Sequence, residues 1–159
     1  MLDNEKVEEL EEKALRHLCE HPGNFPVVQP HNCCESVLSV LREYLPARTD
    51  LIPKMSTDIG TSVSLNGLLC GSVSSVVIAI GMKYGETSPE ENPQPVWELV
   101  DKYVSDFKAR FSHVNCRELT GLDMKTDEGL KEYFDRVHDH ECAARIRFAV
   151  KSAMEILNT

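Results

Sequence analysis

Residues 69–84 are the feature that most limits how this chain can fold, because they are apolar on nearly all sides. The β-branched run at residues 73–80 would also suit a buried strand, but small residues recur every four positions, at Gly71, Ser75 and Ala79. This spacing would let a neighbouring helix approach closely, so we predict a helix that stops at Gly85. Such a helix has to be covered all round. Other helices of one domain can cover it, and so can a homo-oligomer.

The rest of the chain shows helical periodicity interrupted by loops, with no credible hairpin signal. We predict further helices at residues 3–19, 33–45, 96–111, 126–137 and 142–157, with a turn of helix at Cys116 and a short helix followed by an irregular stretch within 48–67. Loops are predicted at residues 21–31 and 86–95. The expected fold is therefore all-α, a single-domain bundle of six to seven helices. Residues 1–31 are expected to be an N-terminal helix and Pro-rich loop, and residues 32–159 a cysteine-containing helical domain, together one compact unit.

Composition and charge exclude several classes of function. The net charge of −9 leaves no basic patch for nucleic acid. The longest apolar stretch, residues 68–82, is too short to span a membrane and contains three serines. The first residues are acidic and amphipathic, so no signal peptide is expected, and a cytoplasmic location follows by default. Disulfides rarely persist there, so six cysteines indicate metal, cluster or redox chemistry, or buried inert thiols.

The tetrapeptide Asn-Cys-x-Glu occurs twice, at residues 32–35 and 115–118, and each copy is typical of a helix start. In a capping box the Asn side chain accepts from the third helical amide, and the Glu reaches back to the amide of the cap. This places Cys33 and Cys116 at first helical positions, among unpaired amides and the positive end of the helix dipole. Such a position favours thiolate, the form that attacks electrophiles and binds metals.

Two more cysteines share this context. A cap at Asn66 or Gly67 would leave Cys70 in the first turn of its helix, and Asp139 is the candidate cap ahead of Cys142. Four converging helix starts would suit an anionic centre, such as a tetrathiolate metal site or an iron–sulfur cluster. The chain has no C-x-x-C, ferredoxin or zinc-finger spacing. The alternative is that these cysteines are small buried hydrophobic residues.

The other cysteines and the histidines are assigned simpler roles. We interpret Cys19 as structural, and Cys34 as a neighbour of the site that could serve as a resolving thiol. Each histidine near a cysteine lies in a polar loop and is interpreted as a solvated or capping side chain rather than a ligand.

Several of these residues, taken together, resemble the family named for its C-GCAxxG-C-C pattern, whose members are described as redox-active. The similar segments are Asn32-Cys33 with Ser36-Val37-Leu38, Gly67-x-x-Cys70-Gly71 leading to Ile80-Gly81-x-x-Tyr84-Gly85, Asn115-Cys116-Arg117-Glu118-Leu119-x-Gly121, and Cys142 ahead of the last helix. The resemblance covers about residues 30–157 in order. Related cysteine-rich modules are linked with a two-iron cluster in a multihaem cytochrome, but this chain has no C-x-x-C-H and would carry no covalent haem.

The resemblance implies a small α-helical redox protein in which Cys33, Cys70, Cys116 and Cys142 form one centre. Its most specific version is a two-iron iron–sulfur cluster that passes single electrons to and from a redox partner protein. A thiol–disulfide relay is the second hypothesis. A structural zinc site, or a helical interaction module with buried thiols and no cofactor, is the third.

Overall fold

The structure, a computed structural model, describes residues 3–19, 31–46 and 50–158, including every side chain in these ranges except those of Cys19 and Pro53. The predicted loop at residues 21–31 therefore falls almost entirely outside the described residues, and so does the side chain of Cys19. The helices are α1 (Asn4–Cys19), α2 (Cys33–Leu41), α3 (Leu51–Ser56), α4 (Gly60–Leu65), α5 (Gly71–Tyr84), α6 (Gln94–Phe111), α7 (Cys116–Thr120), α8 (Asp127–Glu132) and α9 (Ala143–Leu157). A 3₁₀ turn, Arg42–Tyr44, follows α2, and a π-helix, Tyr133–Cys142, joins α8 to α9.

The all-α prediction is confirmed. Within the described ranges, the only β pairing is a single antiparallel bridge between Leu69 and Asn115. The apolar segment at the centre is helix α5, which packs against α2, α6 and α9, while α1 packs against α2 and α9. Helix α5 is therefore covered by helices of the same chain.

Two groups of buried hydrophobic residues fill the interior. The main core lies among α1, α2, α5, α6 and α9 and is built from aliphatic side chains with Tyr103 and Phe107. A smaller group, the cysteine-end cluster, comprises six residues of α7, the π-helix and the loop between α7 and α8: Cys116, Leu122, Met124, Tyr133, Val137 and Cys142. The cysteines of interest lie at the boundary between the two groups, because Cys33 and Cys70 pack with the main core.

The π-helix differs from what the sequence predicts. We expected one helix to end near Val137 and the next to begin at Cys142 with Asp139 as its cap. Instead Asp139 lies inside the π-helix, and Cys142 already has helical dihedral angles of φ −67° and ψ −39° where α9 begins. The predicted cap is wrong, because the chain never leaves the helical conformation between α8 and α9 and so opens no new helix end.

None of the described helices combines the length and the hydrophobicity that a membrane span requires.

Candidate functional site

Four cysteines from four separate segments line a single cavity of about 50 Å³. Cys33 begins α2, Cys70 immediately precedes α5, Cys116 begins α7 and Cys142 ends the π-helix. The remaining lining residues are mostly apolar or aromatic: Thr61, Leu65, Ser72, Met124, Leu130, Tyr133 and Phe134. The structure thus brings together the four cysteines that the sequence singles out, in a pocket largely closed to water.

The capping box at the start of α2 fixes the position of Cys33. Asn32 accepts hydrogen bonds from the amides of Cys34 (2.9 Å) and Glu35 (3.0 Å), and Glu35 accepts from the Asn32 amide at 2.8 Å. The Asn32 side chain also donates to the carbonyl of Thr57 at 2.9 Å. The predicted box is confirmed, and its side chains tie the start of α2 to the segment after α3.

The second copy of the tetrapeptide also starts a helix, with Asn115 at the cap position and Cys116 at the first helical position as predicted, but the predicted capping box does not form. The Asn115 side chain makes no capping hydrogen bond. Instead the Cys116 amide donates to the Leu68 carbonyl at 2.8 Å, and the Arg117 amide donates to the Gly67 carbonyl at 3.1 Å. The first amides of α7 are therefore already paired across the β-bridge and have no need of a side-chain cap.

The same bridge positions Cys70. Its amide donates to the Val114 carbonyl at 2.8 Å, so Cys70 and Cys116 lie on neighbouring extended segments. Cys70 itself occupies the cap position of α5, with φ −61° and ψ 135°, rather than a place inside the first turn. The cap expected at Asn66 or Gly67 is thus also wrong, because those residues belong to the turn that precedes the bridge. The thiols of Cys70 and Cys116 lie side by side, where an S–H···S contact links their protonation.

Cys142 is held by two side chains that the sequence does not identify. The Tyr133 hydroxyl donates to Cys142 Sγ at 3.5 Å, and Arg145 Nη1 donates to the same sulfur at 3.7 Å. Both side chains are buried, with 8% and 5% of their surface exposed. The π-helix brings Tyr133 and Cys142, nine positions apart, into contact. The sequence predicts a break between two helices in this region, and that prediction gives no reason to expect Tyr133 and Cys142 to be in contact.

An unusual turn forms part of the cavity wall. In α4, Thr61 to Ser64 and the following Leu65 all have positive φ, between 49° and 64°, so the segment is a left-handed helical turn. Such a conformation costs roughly 1–2 kcal/mol per residue that is not glycine. The turn places Thr61 and Leu65 against the cavity, and the Thr61 amide lies against the sulfur of Cys33.

Gly71 provides the space that the Cys33 thiol occupies. A Cβ added at Gly71 would overlap Cys33 Sγ and lie 2.9 Å from the Cys34 amide nitrogen. The absence of a side chain at this position therefore lets α2 and α5 approach closely enough for Cys33 to reach the cavity.

Burial keeps most of these thiols protonated. We expected helix starts to favour the thiolate form at Cys33 and Cys116, and this expectation is wrong because the pKa of each thiol is raised. Burial raises the pKa of Cys33, and it raises that of Cys142 to about 11. The hydrogen bond to Cys70, together with burial, raises the pKa of Cys116. Cys70 is the exception, since the Cys116 hydrogen bond lowers its pKa against the opposing effect of burial, helped by Ser72 and the Arg145 charge. Cys70 is thus the thiol of the four whose surroundings favour the thiolate.

The donor set at the cavity is all sulfur. Four thiols that line one space are the ligands that iron–sulfur clusters use, and the buried Arg145 supplies positive charge beside them. Across the described ranges, no group of three or more His, Cys, Asp or Glu side chains is arranged to hold a metal ion. The cavity thus supplies four thiols, the donor type that a cluster uses, but the structure does not bring three of them to a common metal position.

Among the described residues, Cys34 and the histidines, which the sequence interpretation places outside the site, are absent from the cavity lining. Cys34 is fully buried in the main core, where the Ser74 hydroxyl donates to its sulfur at 3.6 Å. His17 and His31 lie with ring centroids 5.0 Å apart. The interpretation of His138 as a solvated loop side chain is wrong, because it lies inside the π-helix with 2% of its surface exposed and pairs with Asp139 at 2.6 Å.

The model of the family described as "Putative redox-active protein (C_GCAxxG_C_C)" matches residues 31–156 of the chain. The matched segment contains all four cysteines of the cavity and every element from α2 to α9. No curated protein and no solved structure matches the chain significantly.

Proposed function

We propose, from the premise that this chain belongs to the C_GCAxxG_C_C family of redox-active proteins, that its cavity cysteines bind a two-iron iron–sulfur cluster for electron transfer. The observation that carries the proposal is the convergence of Cys33, Cys70, Cys116 and Cys142 on one cavity from four separate segments. The partner would be a one-electron carrier protein, which gives up an electron to the site or takes one from it.

Cys33, Cys70, Cys116 and Cys142 would hold a two-iron cluster through their four sulfurs. When bound, the cluster accepts and returns one electron at a time. The chain supplies four thiolates for it, and ligation would deprotonate the thiols that burial now holds neutral.

The surroundings of the thiols suit a buried anionic centre. The apolar side chains of Leu65, Met124 and Leu130 line the cavity and exclude water. In a site of low dielectric constant, the charge of Arg145 acts more strongly than it would in solvent. Cys33 is half-buried whereas the other three cysteines are buried, so a partner protein would approach the site on the Cys33 side.

Metal and sulfide analysis tests this proposal. Protein prepared without oxygen and reconstituted with ferrous iron and sulfide is expected to bind iron and acid-labile sulfide in equal amounts, about two of each per chain. Its visible absorption should bleach on addition of dithionite. Zinc bound in place of iron, with unfolding on chelation, would support a structural zinc site instead. No metal uptake after reconstitution would reject the cluster.

The adjacency of the Cys70 and Cys116 thiols in one cavity favours a second candidate, a thiol–disulfide relay. The Cys70 thiolate would attack a disulfide of a partner protein and form a mixed disulfide, releasing one partner thiolate. Cys116, having lost its proton, would then attack Cys70 Sγ and release the second partner thiolate. The partner gains two electrons and two protons, and the chain ends with a Cys70–Cys116 disulfide. The free thiols of both residues suit the cytoplasmic location expected from the sequence.

A trapping experiment separates this relay from the cluster. In metal-free protein, Cys116→Ser should accumulate a mixed disulfide at Cys70 with a small disulfide reagent, because the resolving thiol is missing. The unmodified chain should instead form the Cys70–Cys116 disulfide, which peptide mass spectrometry identifies. Cys34→Ser is the matched control, since Cys34 lies outside the cavity. Equal free-thiol counts with and without reductant would reject the relay.

A further inference from the structure

Arg145 is the only lysine or arginine in the buried class among the described residues, with 5% of its surface exposed. It lies in the first turn of α9, three residues after Cys142. A buried cation is costly unless negative charge or strong hydrogen bonds compensate it. The position of this residue therefore needs an explanation in the charges around it.

The contacts of Arg145 compensate its charge only in part. Nη2 donates to the Leu119 carbonyl at 2.9 Å and to Glu141 Oε2 at 2.7 Å, and Nη1 donates to Cys142 Sγ at 3.7 Å. The buried Nε has no hydrogen-bond partner. Glu141 is the only carboxylate in this set, and 39% of its side chain is exposed, so solvent screens it. The one other side chain to which Arg145 donates in this set is Cys142, at the cysteine cavity.

We propose that Arg145 is a positioning residue that sets the midpoint potential of the cysteine site, an inference that rests on the redox function proposed above. Reduction adds negative charge to a site that Arg145 contacts through Cys142. A cation held in a dry pocket stabilises that added charge, and so raises the potential. Reducing a cluster adds one electron from the carrier protein. Reducing a Cys70–Cys116 disulfide adds two electrons from a dithiol, with protons that balance part of the charge. The sign of the effect is the same in both cases.

Glu141 opposes Arg145 and provides a variant with the reverse effect. Glu141→Gln keeps the shape of the side chain but removes the negative charge that partly neutralises the guanidinium. The potential of this variant is expected to rise. Arg145→Met removes the cation while keeping a long side chain, so the potential should fall. Arg145→Lys keeps the charge and should retain most of the potential.

Arg136 is the matched control. It is an exposed arginine that also pairs with Glu141, at 3.4 Å, and donates to the Thr120 carbonyl at 3.4 Å. Arg136→Gln therefore removes one positive charge from the same end of the molecule, but from a place where solvent screens it. Its effect on the potential should be several times smaller than that of Arg145→Met.

The experiment is a redox titration of the full-length chain and the four variants. If the protein binds iron, visible absorption measures the ratio of reduced to oxidised cluster at each potential. If it does not bind iron, the cluster proposal fails. Thiol labelling in dithiol buffers of known potential then measures the ratio of reduced to disulfide-bonded protein. For Arg145→Met we expect at least a tenfold fall in the ratio of reduced to oxidised protein at a fixed potential, about 59 mV for a one-electron couple or about 30 mV for a two-electron couple.

Thermal melting shows which variants fold, and the outcomes then separate clearly. The proposal is supported if the midpoint potential falls in Arg145→Met, stays close to that of the unmodified chain in Arg145→Lys and rises in Glu141→Gln. If Arg145→Met does not fold, Arg145→Lys and Glu141→Gln decide the question by themselves. Unchanged potential in Glu141→Gln, or an equal fall in Arg136→Gln and Arg145→Met, would overturn it.

Discussion

The main core and the cysteine end of this molecule are built on different principles. The main core joins long helices through aliphatic side chains, and most of its largest members are fully buried. The cysteine end joins short segments: the left-handed turn α4, the five-residue helix α7, the six-residue helix α8 and the π-helix. Its geometry depends on individual hydrogen bonds, such as those across the Leu69–Asn115 bridge.

This difference shows where stability and function reside. Burial of apolar surface in the main core supplies most of the folding free energy. The cysteine end contains conformations that cost free energy, including the left-handed turn of Thr61 to Ser64. Strained backbone persists where the surrounding structure holds it and often lies at functional sites. Changes in the main core should therefore affect stability, and changes at the cysteine end should affect the site.

The largest contrast is expected between two buried cysteines. Cys116→Ser should abolish iron binding, because it removes one of the four ligands in the cavity. Cys34→Ser should leave the iron content close to that of the unmodified chain, since Cys34 lies in the main core and outside the cavity lining. Iron and sulfide analysis after reconstitution measures both. Equal iron loss in the two variants would remove the distinction between the two regions.

A truncation in the main core should lower the stability of the protein and leave its iron content unchanged. Leu38 is fully buried in α2, and Leu38→Ala is expected to lower the free energy of unfolding by about 2–5 kcal/mol. Leu51→Ala, at a side chain that is 55% exposed, should cost far less. Urea denaturation measures both, and iron content should stay normal below the unfolding transition. Parallel loss of iron in folded Leu38→Ala would contradict the proposed separation.

Two glycines of α5 sharpen the comparison within one helix. Gly71→Ala would force a Cβ onto the Cys33 thiol, and the overpacking should cost about 1–3 kcal/mol and reduce iron binding. Gly81→Ala meets no atom within 4 Å and should instead stabilise the helix by about 0.5–1 kcal/mol. Denaturation curves and iron analysis on the two variants provide the measurement. Normal iron binding by Gly71→Ala would show that Cys33 is not needed at its present position.

Alkaline pH should destabilise the metal-free, reduced protein through thiols in both regions. Burial raises the pKa of Cys34 to about 12 and that of Cys142 to about 11. The unfolded chain loses these protons near pH 8.5–9, so their contribution to stability is complete below that pH and is lost as pH rises toward the folded values. The loss is about 1.4 kcal/mol per thiol for each pH unit in this window.

Single replacements test that assignment. Cys34→Ala and Cys142→Ala should each give a shallower fall in the free energy of unfolding between pH 9 and pH 10.5 than the unmodified chain. The slope is obtained from urea denaturation at several pH values. An unchanged slope in either variant would mean that its thiol ionises normally in the folded protein.

The smallest expected effect compares the two copies of the tetrapeptide. Asn32→Ala removes a working cap and should cost about 0.5–2 kcal/mol. Asn115→Ala should change the free energy of unfolding by less than about 0.5 kcal/mol, because the Asn115 side chain makes no capping bond. The same denaturation assay covers both variants. Equal costs at the two positions would contradict the assignment of the α7 amides to the β-bridge.

These two tetrapeptides also show how much the sequence can predict. Local patterns are sufficient for the long helices and for the box at Asn32, because hydrophobic periodicity and side-chain capping act within a few residues. At Asn115 the same tetrapeptide forms no capping box, because the amides of Cys116 and Arg117 donate to carbonyls that lie about fifty positions earlier in the chain. No local pattern reports such a pairing.

At the candidate site, too, the sequence predicts some features and not others. Cysteine context singles out the four residues that line the cavity, but the sequence predicts neither their protonation nor their neighbours. Burial raises most of the thiol pKa values and outweighs the helix dipole that the sequence reasoning invoked. Arg145 is one of several charged residues in the last helical region. Its burial and its contact with the sulfur of Cys142 become visible only in the folded structure.

The most direct test of the central claim is an anaerobic crystal structure of the iron-reconstituted protein, with anomalous diffraction recorded at the iron edge. We expect two adjacent iron atoms in the cavity, each bound by two of the sulfurs of Cys33, Cys70, Cys116 and Cys142. Iron bound elsewhere, or a cavity in which any of the four sulfurs is not a ligand, would contradict the account.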